Sequence, residues 1–193
     1  MGGAWLVVGL GNPGPGYATH RHSIGQRVVD ALAAELGSPL KRHKAIAVVS
    51  EGWFRPGTDK VVAATLLSFM NNSGQPISQL AKFFKIEPDH IIVIHDDIDL
   101  PFDTVRIKQG GGHGGQNGVR SAIEHIGPDF LRVRVGVGRP SGRKDPAVHV
   151  LEPFSKTEAE VVPSLISDAV GAVESIVLDG LAVAQQKYHS PAS

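Results

Sequence analysis

The sequence predicts an α/β protein, and three observations predict it. Strand-like apolar runs alternate with segments whose apolar residues recur at helical spacing, which gives a sheet flanked by helices. Residues 91–94, Ile-Ile-Val-Ile, are apolar on both faces, as in a buried parallel strand. Polar residues follow the strands at their junctions: Asn12, Asn71, and the cluster His95, Asp96, Asp97 and Asp99. Open α/β sheets bind ligands at the carboxyl ends of their strands, so these junctions locate the site.

The elements follow in order. Residues 5–10 form the first strand and run into Gly9-Leu10-Gly11-Asn12-Pro13-Gly14. This matches GxGxxG formally, but Pro13, Pro15 and Gly16 prolong the loop. A dinucleotide turn starts its helix at once, and its second strand ends in an acid about 20 residues on. Neither feature is present, so that reading is set aside. Ser23-Ile24-Gly25-Gln26 has the pattern of a capping box. Ile24, Val28, Leu32 and Leu36 then mark a helix that Gly37 stops. His22 therefore falls in the loop just before this helix. Residues 45–50 and 61–67 read as a hairpin around Pro56-Gly57. A helix follows, with Ile77, Leu80, Ala81 and Phe84 on one face. For Asn71, before it, spacing alone fits helix capping, a role open equally to Asn72 or Ser73.

The strand 91–94 ends in the acidic cluster. The next strand, 104–108, presents Arg106 and Lys108 on one face. In the loop 110–118 six of nine residues are glycine, which lets backbone approach a ligand closely. Asn117 lies in this loop. Residues 119–126 read as a helix, 131–137 as a strand with Arg132 and Arg134 on one side, and 138–146 as a basic loop. Ser155 and Glu158 form a second capping-box pattern, and a helix is expected from there to about Lys187, with Pro163 near its start.

Composition bounds the function. The 193 residues favour one domain, 1–193, with a substantial core. No run approaches the about 18 consecutive apolar residues of a membrane span, and the N-terminus lacks the pattern of a signal peptide. A cytoplasmic protein away from membranes is expected. Zero cysteine excludes a thiol nucleophile, a disulfide frame and Cys-ligated zinc. Net charge is zero but unevenly spread. Residues 1–103 hold 9 Lys and Arg against 10 Asp and Glu; residues 104–144 hold 8 against 2; residues 145–193 hold 2 against 7. A basic middle beside an acidic tail is the footprint of a polarised surface.

If the strands are parallel, Asn12, Asn71, Asp96 and Asn117 converge on one rim, and His22 leaves the first of these loops. A carboxylate can fix an imidazole tautomer, the imidazole can take a proton from water, and amides can donate to an oxyanion. A metal site built from His95, Asp96, Asp97, Asp99 and His113 is the competing reading. Against it, neighbouring Asp96 and Asp97 point to opposite faces of a strand.

Six segments carry a resemblance: GLGNPGPGY (9–17), RHSIG (21–25), MNNSG (70–74), HDDIDLP (95–101), GGGHGGQNG (110–118) and RVRVGVGRP (132–140). In order and spacing the chain resembles the bacterial-type peptidyl-tRNA hydrolases. The resemblance implies a monomeric single domain with a mixed, largely parallel sheet and no metal or cofactor. It implies hydrolysis of the ester joining a peptide to the 3′-terminal ribose of tRNA, which recycles peptidyl-tRNA. Carried over by motif, His22 resembles the catalytic base and Asp96 its partner. Asn12, Asn71 and Asn117 resemble substrate-positioning amides, and Tyr17 and Met70 resemble pocket-lining residues. Arg106, Lys108 and Arg134 resemble cations that meet tRNA phosphate. A non-catalytic RNA-binding relative would lose the His–Asp pair, which this chain keeps. The chain departs from the family pattern at His20 and Ser23, where Thr and Asn are usual, at Gln116, where His is usual, and at Leu66, where Pro is common.

Overall fold

The computed structural model describes residues 3–189. Among them, seven strands form one sheet: β1 (Ala4–Gly9), β2 (Lys41–His43), β3 (Ala47–Gly52), β4 (Lys60–Leu66), β5 (Ile91–Asp97), β6 (Val105–Gln109) and β7 (Leu131–Gly136). Their order is β2-β3-β4-β1-β5-β7-β6. The centre, β4-β1-β5-β7, is parallel, and β2, β3 and β6 add antiparallel pairs at the two sides. Every residue from Ile91 to Asp96 is buried, as the doubly apolar run requires of a central parallel strand.

Among the described residues six α-helices accompany the sheet: α1 (Ile24–Leu36), α2 (Gly74–Phe84), α3 (Asn117–Ile126), α4 (Pro146–Val150), α5 (Lys156–Asp179) and α6 (Leu181–His189). Alternate strand residues divide between two cores. Val7, Ile92, Ile94, Val133 and Val135 pack with α1 and α5, while Leu6, Val8, Ile91 and Val93 pack with α2 and α3. The division follows the two-residue period of the strands.

Close approach of α1 to the sheet depends on glycine. A Cβ on Gly25 would lie 2.4 Å from the Ile94 carbonyl oxygen and 2.7 Å from the Leu10 nitrogen, and one on Gly9 would lie 2.0 Å from the Gly25 carbonyl. The helix therefore presses directly on β1 and β5, and His22, just ahead of it, is held over their ends.

Several local expectations change. Ser23 sits at the N-cap of α1 but makes no capping bond. A short 3-10 turn, Arg21–Ser23, runs straight into the helix. It leaves Ser23 at φ −101°, ψ 13°, away from the extended geometry in which a cap hydroxyl reaches the next turn. Gln26 instead donates to the Asn12 carbonyl. Asn71 does not cap α2 either; Gly74 N–H of that helix donates to Ser121 Oγ. The Ser155–Glu158 capping box does form. The helix expected to run to Lys187 is two helices, because Gly180 at φ 90° ends α5. α5 continues through Pro163, which withdraws the N–H that the Ala159 carbonyl would otherwise receive.

α5 is long and apolar enough to cross a membrane by length and composition. In this fold its apolar face, Val162, Leu165, Ala169, Val173 and Ile176, is buried in the core it shares with α1. α6 covers the free edge of β6, where Ile107 N–H donates to His189 Nε2 and Gln185 donates to Ile107 O. An edge strand so covered no longer offers its backbone to another strand.

Candidate active site

β1, β4 and β5 are parallel neighbours, so their carboxyl ends share one rim. Asn12 follows β1, Met70 and Asn71 follow β4 in a 3-10 turn, and Asp96 is the penultimate residue of β5. Asn117 arrives differently. β6 is antiparallel to β7, so its carboxyl end lies at the opposite rim, and the glycine loop must return. Arg132 holds that loop during the return: its guanidinium donates to the carbonyls of Gly111, Gly112 and Pro128. The loop ends at the first turn of α3, where Asn117 is exposed.

These residues line one cavity of about 430 Å³, with His22, Asp96, Asn12, Met70, Asn71 and Asn117 all in its wall. His22 Nδ1 lies 2.9 and 3.1 Å from the two carboxylate oxygens of Asp96. The Asp96 side chain is only 3% exposed and that of His22 13%. With the carboxylate as acceptor, Nδ1 carries the proton and Nε2 is left as the base. Burial by itself would lower the His22 pKa. The Asp96 charge and the hydrogen bond outweigh it, so the net shift is upward.

Asn12 Oδ1 accepts from the Met70 N–H at 2.8 Å. That bond fixes the orientation of the amide and turns its Nδ2 donors away from Met70. Arg21, beside His22, is buried and donates to the His149 carbonyl at 3.0 Å and to Glu158 Oε1 at 2.9 Å. It thereby ties the turn that carries His22 to α4 and to the start of α5. α4 supplies the apolar wall of the cavity through Pro146, Ala147 and Val150.

The remaining expected residues lie outside the cavity. Tyr17 does not line it; the ring stands edge-on to Phe69, with centroids 5.7 Å apart, and Phe69 is the lining residue. His20 is not in the wall either and packs edge-on to Tyr17. Arg106, Lys108 and Arg134 share one face of the β6–β7 ribbon, because Arg106 pairs with Arg134 and Lys108 with Arg132 in register. Arg134 is bound to Asp97 at 2.9 Å, and Asp97 lines the cavity, so the cationic face adjoins it. Arg106 donates to the carbonyls of Val105 and Tyr188. Burial, then Arg132 and Arg134, lower the Lys108 pKa. Like charges facing across strands repel, and an anion laid on this face relieves that repulsion.

The acidic cluster separates. Asp96 faces His22, Asp97 faces Arg134, and Asp99 faces Arg139. Among the described residues no three His, Asp or Glu side chains converge on a common point for a metal.

Sequence reasoning missed parts of this wall. α4 lies at the end of what read as a basic loop, although Asp145-Pro146 is a helix-start pattern: Asp145 caps Ala147 N–H, and proline takes the first helical position. Gln116 stood out as a departure from the family pattern but not as a site residue. Its amide Nε2 lies 3.0 Å from Asp96 Oδ1, a contact between residues 20 apart that no local pattern reveals.

A parallel sheet rim that holds a buried carboxylate–imidazole pair beside side-chain amides defines a class of α/β hydrolase sites that need no thiol. Comparison with known proteins narrows the class. The family model for peptidyl-tRNA hydrolase matches residues 6–193. The chain is 52% identical over 191 residues to a peptidyl-tRNA hydrolase of Arthrobacter sp. (strain FB24), covering 98% of each. It is 52% identical over 187 residues to that of Leifsonia xyli subsp. xyli, covering 96% of this chain and 97% of the relative. The crystal structure of peptidyl-tRNA hydrolase from Acinetobacter baumannii superposes with a TM-score of 0.89 at 35% identity, covering 97% of this chain and 95% of that one. The chain belongs to the peptidyl-tRNA hydrolase family, and by that membership it is a hydrolase acting on an ester bond.

Proposed function

We propose that the chain hydrolyses the ester between a peptide, or an N-blocked aminoacyl group, and the 3′-terminal ribose of tRNA, with His22 as general base and Asp96 as its orienting partner. The observation that carries this reading is the His22 Nδ1–Asp96 contact at 2.9 Å in the wall of a cavity also lined by four side-chain amides, those of Asn12, Asn71, Gln116 and Asn117.

In this mechanism Asp96 holds His22 in the tautomer that leaves Nε2 unprotonated. His22 takes a proton from water, and the resulting hydroxide attacks the ester carbonyl. The amides of Asn12, Asn71 and Asn117 hold the substrate and donate to the developing oxyanion. The ribose oxygen leaves with the proton that His22 returns, so the imidazole acts first as base and then as acid. General-base assistance is typically worth about 10²–10⁴-fold, and one oxyanion donor about 10²–10³-fold. The apolar cavity wall takes the side chain of the blocked residue. The Arg106, Lys108 and Arg134 face meets tRNA phosphate, so a neutral protein binds RNA through local charge. The enzyme acts as a cytoplasmic monomer, without metal or cofactor.

The test is release of labelled N-acetyl-aminoacyl groups from tRNA by wild type and His22→Ala, each with and without EDTA. Turnover by wild type that resists EDTA and falls at least about 100-fold in His22→Ala, with tRNA binding retained, is the expected result. Intact tRNA binding without turnover by wild type would move the chain to a non-catalytic RNA-binding role. Loss of wild-type turnover in EDTA would reinstate a metal.

A further inference from the structure

We propose that Gln116 is a positioning residue of the dyad: its one carboxamide aims Asp96 at His22 and simultaneously anchors the turn that presents Asn117. The proposal rests on the reading of His22 and Asp96 as base and partner.

The orientation of the amide follows from its partners. Gln116 Oε1 accepts from the Val119 N–H at 2.9 Å and so caps α3. Nε2 then faces the other way, 3.0 Å from Asp96 Oδ1 and 3.3 Å from Met70 Sδ. Both N–H groups and the carbonyl oxygen are occupied. Turned over, the amide would set oxygen against carboxylate and N–H against N–H. The backbone is shaped around this group as well. A Cβ on Gly118 would lie 2.5 Å from Met70 Sδ and 3.0 Å from Gln116 Oε1, so glycine there lets the side chain fold back onto its own helix.

Asp96 needs such a donor. It is 3% exposed, and among the described residues its side-chain oxygens meet the donors of His22 and Gln116 alone. The charged and titratable groups around it are otherwise committed. On β5, Asp97 is bound to Arg134 of β7, and His95 points its Nδ1 at the Asp96 backbone carbonyl. Arg132 of β7 is turned to the glycine-loop carbonyls, and His113 of that loop accepts from the Gly115 N–H. A buried carboxylate is stable only when hydrogen-bonded or paired. The neutral imidazole supplies one N–H, and Gln116 supplies another that has no pKa in the working range. The dyad's geometry therefore holds whether or not the imidazole is charged. The contact also couples two halves of the site. Asp96 with His22 sits on the β5 and α1 side, Asn117 on the α3 side, and Gln116 bridges them.

The experiment compares kcat, KM and the pH profile of kcat for wild type, Gln116→Ser, Gln116→Glu and His22→Ala, with N-acetyl-aminoacyl-tRNA as substrate. Serine keeps a good helix cap but cannot reach Asp96. Gln116→Ser is expected to lose about 10-fold or more in kcat with KM within about twofold, since a misaimed partner costs rate rather than binding. Glutamate keeps an acceptor for Val119 N–H and sets a second carboxyl against Asp96. Two carboxyls so close share a proton or add charge beside His22. The acid limb of the profile is then expected to move upward by about one unit, with activity recovering at higher pH. A purely structural role for Gln116 would lower stability without moving that limb. An unshifted Gln116→Glu profile together with normal kcat in Gln116→Ser overturns this proposal while leaving the base intact. Normal turnover by His22→Ala overturns the underlying reading, and this proposal with it.

Discussion

His22 is placed by two opposing effects whose balance sets its chemistry. Burial disfavours the imidazolium, yet the neighbouring Asp96 anion and its hydrogen bond favour it more, so the pKa is raised. Under the proposed function His22 is the base and must be unprotonated, so kcat should rise with pH through a value above the usual histidine figure of about 6.5. In Asp96→Asn the charge is gone, and the remaining amide can either accept from or donate to Nδ1. The acid limb should shift to lower pH while the plateau kcat falls by about 10²–10⁴-fold, because the tautomer is no longer held; a pH series of initial rates checks both. The same shift has a stability consequence. A raised folded pKa means that the native state binds the proton more tightly. The stabilisation is complete below the unfolded value near 6.5 and is lost as pH rises through the folded value. His95, His149 and His189 have lowered pKa values and act in the opposite sense. The comparison that isolates His22 is therefore the difference in urea unfolding free energy between wild type and His22→Asn. That difference should decrease with rising pH across this window.

At the level of elements, the site depends on how closely α1 lies on the sheet. Gly25 allows that contact, since its missing Cβ would meet backbone of Ile94 and Leu10, which cannot turn aside as a side chain does. Gly25→Ala should cost about 1–3 kcal/mol, the usual range for forcing atoms into a packed interior, measured by denaturant unfolding. It should also lower kcat, because His22 sits in the turn that leads directly into α1 while β5 carries Asp96, and the substitution drives the two apart. The element boundaries were legible where local chemistry decides them. Gly37 at φ 65° ends α1, and the Ser155–Glu158 box starts α5. They were illegible where tertiary packing decides. Lys41-Arg42-His43 has no strand pattern and becomes β2 only by pairing with β3. The Ser23 box fails because the 3-10 turn enters α1 in its place.

The whole molecule carries a net charge of zero but gathers Arg106, Lys108, Arg132 and Arg134 on one face of two paired strands. Under the proposed function, Arg106→Ala and Lys108→Ala should each raise KM with little change in kcat. Each should also reduce the slope of log affinity against log salt by about 0.7–0.9 per lost phosphate contact, measured by tRNA titration at several salt concentrations. Arg134→Ala should differ, because it also frees Asp97, which Arg134 holds at 2.9 Å, and so disturbs the cavity wall. Arg132 belongs to the same charged ribbon but spends its guanidinium on loop carbonyls. Its replacement should loosen the glycine loop rather than the grip on phosphate.

The sequence by itself determined the α/β class, the order along the chain of its main strands and helices, and the family, since these follow from periodicity, glycine and capping patterns and six ordered motifs, and it singled out the candidate residues. Three things were left to the tertiary structure. β6 turns antiparallel, so the glycine loop has to return before Asn117 can join the rim. The helix ending in the sequence pattern near Lys187 breaks at Gly180, and its second part lies along the edge of β6. Gln116 reaches Asp96 across 20 residues of chain. Each depends on contacts between segments far apart in sequence, and such contacts leave no periodicity within any one segment.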